Sequence, residues 1–263
     1  MNTIGIDIGG MSVKVGLVNE FGKIIEKNVE KTIPGHINVI NNMVKQVNML
    51  LEHNNLTIND IKGVGIGCPG AVSTDKGFID ILPNLNWVNV PLVDLMEERL
   101  NTKVIISNDA NVAALAEAVY GVAKEVDDCV MFTLGTGVGS GIIINKKIYD
   151  GTDSKGAELG HTTLILGGNK CSCGRSGCVE TYCSATALIK QTKNEMLNNK
   201  ESKMWEYVNG DIEKVNGRTA FDCAKLGDES AEIVVSNYVM YLSGVILFTC
   251  FIKRCPKQTS RLP

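Results

Sequence analysis

The sequence predicts an α/β protein in two lobes, and three observations carry that reading. Apolar strand-like runs alternate with stretches of helical periodicity. A strand, glycine turn, strand unit occurs twice, at Ile4–Val18 (IGIDIGGMSVKVGLV) and Val130–Ile144 (VMFTLGTGVGSGIII). A cysteine-rich knuckle follows the second unit. Each glycine turn offers backbone N–H groups unobstructed by Cβ atoms, so two such turns facing one another are expected to grip phosphates from both sides of a cleft. One glycine hairpin alone is an ordinary tight turn; its repetition favours phosphate binding. Residues 1–115 are assigned to the first lobe and 116–263 to the second, each with its own phosphate hairpin.

Between the hairpins, Ile37, Ile40, Met43, Val44, Val47, Leu50 and Leu51 recur at helical spacing and predict an amphipathic helix. Gly63–Cys68 and Lys103–Ser107 read as buried strands. Asn111–Tyr120 is rich in good helix formers and meets a stop at Gly121. Asp109 thus lies where a strand gives way to a helix. Further on, Thr181–Asn198 and Asp228–Leu242 read as helices, and Asn199–Gly217 as a polar surface excursion. Tyr238–Ile252 is largely apolar, without a charged residue, and precedes Lys253 and Arg254. It falls short of the roughly twenty residues that span a bilayer and predicts a buried helix.

The 263 residues are 44% hydrophobic, enough for a substantial core. Lys and Arg total 26 against 29 Asp and Glu, and the basic residues are scattered. Nucleic-acid and anionic-membrane partners are therefore not expected. The N-terminus enters a strand pattern at once and lacks the basic start and long apolar stretch of a secretory signal, so cytoplasmic residence is expected. Nine cysteines are present, with Cys68 and Cys129 in apolar, strand-like runs, as reduced buried thiols are.

The knuckle, GHTTLILGGNKCSCGRSGCVE, supplies His161, Cys171, Cys173 and Cys178. An imidazole and three thiolates complete a tetrahedral zinc set with no open position, which predicts a structural ion. Glu158 precedes the knuckle and Glu180 follows it. Two carboxylates beside an imidazole suit the vicinal hydroxyls of a polyhydroxylated ligand, or support the metal from outside. Asp109, in ISNDAN, is the candidate catalytic group, because strand ends open onto the ligand crevice of an α/β sheet. A helix N-terminus beside it is expected to keep the carboxylate ionised; the alternative is a helix cap. Two better-known nucleotide motifs are excluded: no GxxxxGK[ST] occurs, and Gly135, Gly137, Gly139 and Gly141 run into Ile142–Ile144, not into a helix.

With these motifs in hand, the chain resembles the ROK family of sugar kinases, and most of all the bacterial glucokinases. The resemblance covers residues 1 to about 240 and rests on DIGG with Lys14, CPG at Cys68–Gly70, PNLNW at Pro83–Trp87, NDAN at Asn108–Asn111, and the GTG to CVE stretch. It implies the two-lobed actin/hexokinase-like (ribonuclease H-like) ATPase fold and transfer of phosphate from ATP, with Mg2+, to an alcohol group of a hexose. The family's pattern places the matches of Asp7, Gly9, Gly10, Lys14, Gly135, Thr136 and Gly137 around the nucleotide. It makes Asp109 the general base, in contact with the sugar, and Gly70, Asn84, Asn108, Glu158, His161 and Glu180 its partners on the sugar hydroxyls. It uses His161, Cys171, Cys173 and Cys178 as zinc ligands. Glucose is the expected substrate, with N-acetylmannosamine, fructose and allose as alternatives, and a homodimer or homotetramer the expected assembly.

Family repressors carry a helix-turn-helix segment before the first hairpin, which here begins at Thr3, so DNA binding is not expected. The ending VILFTCFIKRCPKQTSRLP departs from the family, which continues with a strand, a Gly-rich turn against the adenosine and a closing helix. A truncated or frameshifted product is one expectation, and an inactive sugar-binding remnant follows from it.

Overall fold

The computed structural model describes residues 1–154 and 156–252. Its strands and helices divide into two compact units, Met1–Met131 with Gly141–Ala157, and Phe132–Ser140 with Glu158 onward. The atypical ending lies outside the described residues from position 253.

In the first unit, β1 (Asn2–Ile8), β2 (Ser12–Val18) and β3 (Ile24–Lys31) form an antiparallel meander, followed by helix α1 (His36–His53) and strand β4 (Ile61–Cys68). Short strands β5 (Ala71–Ser73), β6 (Phe78–Leu82) and β7 (Trp87–Val90) make a separate antiparallel sheet. Helix α2 (Leu92–Leu100), strand β8 (Val104–Asn108) and helix α3 (Asp109–Val119) come next. The main sheet has the order β3-β2-β1-β4-β8, with β4 parallel to both β1 and β8. Three parallel strands therefore end on one edge, with Asp7 in register with Gly67, and Gly67 with Ser107.

Alternation builds the core. Ile4, Ile6 and Ile8 of β1, Val13, Val15 and Leu17 of β2, Val64 and Ile66 of β4, and Val104 and Ile106 of β8 all point to one face. Val39, Ile40, Met43, Val47, Leu50 and Leu51 of α1 cover it, with Leu92, Met96 and Leu100 of α2. Each such side chain stabilises the fold by about 1.5 to 3 kcal/mol relative to exposure. Ile37, at the start of the same periodic pattern, is exposed.

Strands β9 (Cys129–Leu134), β10 (Val138–Ile144) and β11 (Lys147–Tyr149) form a third sheet, of order β11-β10-β9. In the second unit, α4 (Glu180–Cys183) and α5 (Ala185–Asn198) are separate helices where one was expected, because Ser184 is extended and caps α5 by accepting from Ala187 N at 3.0 Å. Residues 199–217 are not the surface excursion expected. They include α6 (Lys203–Tyr207), and Met204, Val208 and Val215 are buried with Cys223 of α7 (Thr219–Lys225).

The final helix, α8 (Glu229–Ile252), begins where Asp228 accepts from Ala231 N at 2.7 Å. It is 24 residues long and buried on one face only, through Ala231, Val234, Tyr238 and Val245, while Ile233, Val239, Met240, Ile246 and Leu247 are exposed. The buried helix expected from the apolar run is thus buried through one face, at Tyr238 and Val245, and not through Val239, Met240, Ile246 or Leu247. By length and composition Glu229–Leu247 passes for a membrane span, with mean hydropathy 1.4. Its buried face nevertheless packs into the core with α5 and α7. Cys68, Cys129, Cys171, Cys173, Cys178, Cys183 and Cys223 are free thiols.

Candidate active site

The first glycine turn, Gly9–Met11, joins β1 to β2 and is closed by Gly9 N–H donating to Ser12 O at 2.9 Å. A Cβ on Gly9 would stand 2.8 Å from that oxygen, so the turn needs glycine there. Just before it, Asp7 pairs with Lys14 across the hairpin at 2.8 Å. Asn84 flanks the turn: a Cβ on Gly10 would lie 3.7 Å from the Asn84 Cβ.

On the same sheet edge, the chain leaving β4 turns at Gly70, with φ +88°. A Cβ there would strike Ile81 O. Gly70→Ala is expected to lower stability by more than about 1 kcal/mol in urea titration; an unchanged midpoint would contradict this reading of the turn. Asn108 Nδ2 donates to Gly70 O at 3.2 Å, and its Oδ1 accepts from Ala110 N at 2.9 Å. Asn108 is therefore the cap of α3, and Asp109 shares the Ala110 N–H with it.

Asp109 follows at the first helical position, its Oδ1 accepting from Ala110 N at 2.8 Å. By surface area the residue is exposed, yet the crowded strand ends strip part of the hydration from its carboxylate. Burial is the main reason its pKa rises above the usual carboxylate range; Asp7 adds to the rise and the Ala110 N–H opposes it. The helix start expected to favour the ionised form does so through the Ala110 N–H, and burial outweighs it. Carboxyl NMR titration of the ligand-free protein should place the Asp109 midpoint above the ordinary value of about 3.9, and Asp7→Asn should lower it. A midpoint unmoved by that substitution would break the proposed coupling. Beneath both carboxylates, the Cys68 thiol is pushed up to about 12 by burial and then by Asp109 and Asp7, so it stays neutral.

In the second unit, the turn Gly135–Gly137 repeats the three-residue design between β9 and β10, with Gly135 N–H donating to Gly137 O at 3.0 Å. It is tied down by the start of α5: Ala185 N donates to Gly135 O and Thr186 Oγ1 to Thr136 O, each at 2.8 Å. Glu180 Oε2 accepts from Val138 N at 3.0 Å, and its other oxygen lies 3.4 Å from Ser172 Oγ in the knuckle. Gly137 leaves the room for that carboxylate, since a Cβ there would meet Glu180 Oε2. Thr186 was not singled out from the sequence, although Ser184 before an amphipathic run is a legible helix start.

The ligand atoms of His161, Cys171, Cys173 and Cys178 all lie within 4.8 Å of one another. Cys173 and Cys178 sulfurs are 3.7 Å apart, and Cys171 Sγ is 3.6 Å from His161 Nδ1. Tetrahedral bond lengths of about 2.3 Å to sulfur and 2.0 Å to nitrogen require edges of about 3.8 and 3.5 Å, so the donors fit a zinc ion. Cys173 is held below the usual thiol range, first by the Arg175 backbone N–H, whereas burial raises Cys178. Glu158 precedes the short turn Leu159–His161, its carbonyl accepting from His161 N at 3.0 Å.

The sheet order and the two glycine turns describe an α/β protein, and superposition on solved ROK kinases, with TM-scores of 0.80 and 0.79, gives its class as the actin/hexokinase-like fold. Within that class, a profile of the ROK family matches residues 3–253, and the chain belongs to the ROK family. It is 33% identical over 248 residues to a glucokinase of Halalkalibacterium halodurans, covering 92% of this chain and 74% of that one. A ROK glucokinase from Streptomyces griseus, solved with glucose and AMPPNP, superposes with a TM-score of 0.80 at 30% identity, over 96% of this chain and 80% of that one. A xylose repressor of Caldicellulosiruptor bescii is 30% identical over 88% of this chain and 58% of its own length.

Proposed function

We propose that the protein is an ATP-dependent hexose kinase that transfers the γ-phosphoryl group of MgATP to the 6-hydroxyl of glucose. The observation that carries this reading is the convergence of Asp7, the Gly9–Met11 turn, Gly70, Asn108 and Asp109 at the ends of β1, β4 and β8. Ends of parallel strands are where such folds bind ligands. Similarity to glucokinases supports the choice of glucose.

In this reading Asp109 orients the acceptor hydroxyl and takes its proton as the sugar oxygen bonds to phosphorus and the bond to the ADP oxygen breaks. A pKa raised by burial makes the carboxylate a better proton acceptor. The two glycine turns bind phosphate oxygens through backbone N–H groups, with Asp7 and Lys14 beside the first and Thr136 within the second. Gly70, Asn84, Asn108, Glu158, His161 and Glu180 line the sugar side. His161, Cys171, Cys173 and Cys178 would hold a zinc ion that staples the knuckle, and four protein donors would leave it no position for substrate. Rate enhancement comes from positioning and from electrostatic stabilisation of the transferring group. A dimer or tetramer in the cytoplasm completes the proposal.

A coupled ADP-release assay over a panel of hexoses tests it. Glucose-dependent release with the highest kcat/KM of the panel is expected. Preference for N-acetylmannosamine, fructose or allose would move the substrate within the family. Hexose binding without ADP release would establish a sugar-binding remnant instead, and specific operator binding in a gel-shift assay would favour a regulator, a reading prompted by the repressor relative.

A further inference from the structure

We infer that Thr32 is a positioning residue that aims the first glycine turn at the nucleotide; the inference rests on the kinase reading above. Thr32 lies one residue beyond β3, where Ser12 stands opposite Lys31. Two of its groups reach the turn: its hydroxyl donates to Gly9 O at 2.7 Å, and its backbone N–H donates to Met11 O at 3.0 Å. With the Gly9 N–H bond to Ser12 O, three hydrogen bonds among the described residues fix the turn, and of these three the one from the Thr32 hydroxyl depends on a side chain.

Direction follows from the planarity of the peptide unit. In a trans peptide the carbonyl of one residue and the N–H of the next point in opposite senses, and no described peptide bond is cis. Drawing Gly9 C=O towards Thr32 therefore turns the Gly10 N–H away from it. Drawing Met11 C=O towards the Thr32 backbone does the same for the Ser12 N–H. The turn's donors are thus aimed before any ligand arrives, and Gly10 carries no Cβ to shield them. Thr32 itself touches neither nucleotide nor sugar. Its loss should weaken the binding of phosphate and spare the chemistry.

The test titrates MgATP into the full chain by calorimetry and measures KM and kcat for the parent, Thr32→Val, Thr32→Ala and Thr32→Ser. Removing one hydrogen bond that sets the turn is expected to raise the MgATP Kd and KM about tenfold in Thr32→Val and Thr32→Ala. The kcat at saturating ATP and the glucose Kd should remain within about twofold of the parent, and Thr32→Ser, which keeps the hydroxyl, should restore MgATP affinity. Should Thr32→Val not fold, Thr32→Ala supplies the same comparison without a methyl group against Gly9 O. Parent-like MgATP affinity in the folded hydroxyl-less variants would overturn the inference, as would Thr32→Ser binding as weakly as Thr32→Ala. A parent chain that binds glucose but no MgATP would instead fell the kinase reading, and the role of Thr32 with it.

Discussion

Asp109→Asn is expected to lower kcat by about a hundredfold to ten-thousandfold, the range of a single general base, while glucose affinity changes little. Asparagine keeps the oxygen that accepts the Ala110 N–H, so the geometry at the start of α3 should survive. What it loses is the capacity to take a proton. The same variant makes a second, opposite prediction for stability. Because the folded state raises the Asp109 pKa, the native protein binds that proton more tightly than the unfolded chain does. The resulting penalty is absent below the ordinary carboxylate range, grows as pH rises through the folded pKa, and is fully present above it. At neutral pH Asp109→Asn should therefore be no less stable than the parent, and usually more so at functional sites of this kind. Near-parental turnover would remove Asp109 from the chemistry. A clear loss of stability would show that crowding does not govern its titration.

Metal removal should have the next largest effect. One zinc ion per chain is expected by elemental analysis, and Cys178→Ser should abolish stoichiometric binding because the sulfur of this fully buried residue sits 3.7 Å from that of Cys173. If about 3 kcal/mol is lost with the ion, the melting midpoint falls by about 10 °C in a domain of this size. A metal-free protein that melts at the parental temperature would refute the site. The effect should extend beyond the knuckle, since Glu180 joins Ser172 to the Val138 N–H that follows the second glycine turn.

The two hairpins could be read directly from the sequence because each combines period-two apolar alternation with a three-residue glycine break, and both turned out with that geometry. The grouping of His161, Cys171, Cys173 and Cys178 was equally legible, since the four fall within one short stretch, and their ligand atoms do lie together. Residues 199–217 were not. Met204, Val208 and Val215 reach the core from helical turns too short to display a period, with polar neighbours that mask them. The cap of α3 was ambiguous for a different reason: Asn and Asp are equally good caps, and only the backbone shows that Asn108 takes the role. Asp109's pKa is raised first by burial among the strand ends and further by Asp7, which is remote in the chain and brought near by strand order. Thr32 was invisible for the same cause, because its partners exist only once β3 has paired with β2.

Both glycine turns have a carbonyl fastened by a threonine hydroxyl, Gly9 by Thr32 and Thr136 by Thr186. Loops stiffened during folding surrender little further freedom when a ligand docks. The entropic charge of association is thereby levied once, at synthesis, instead of at every turnover.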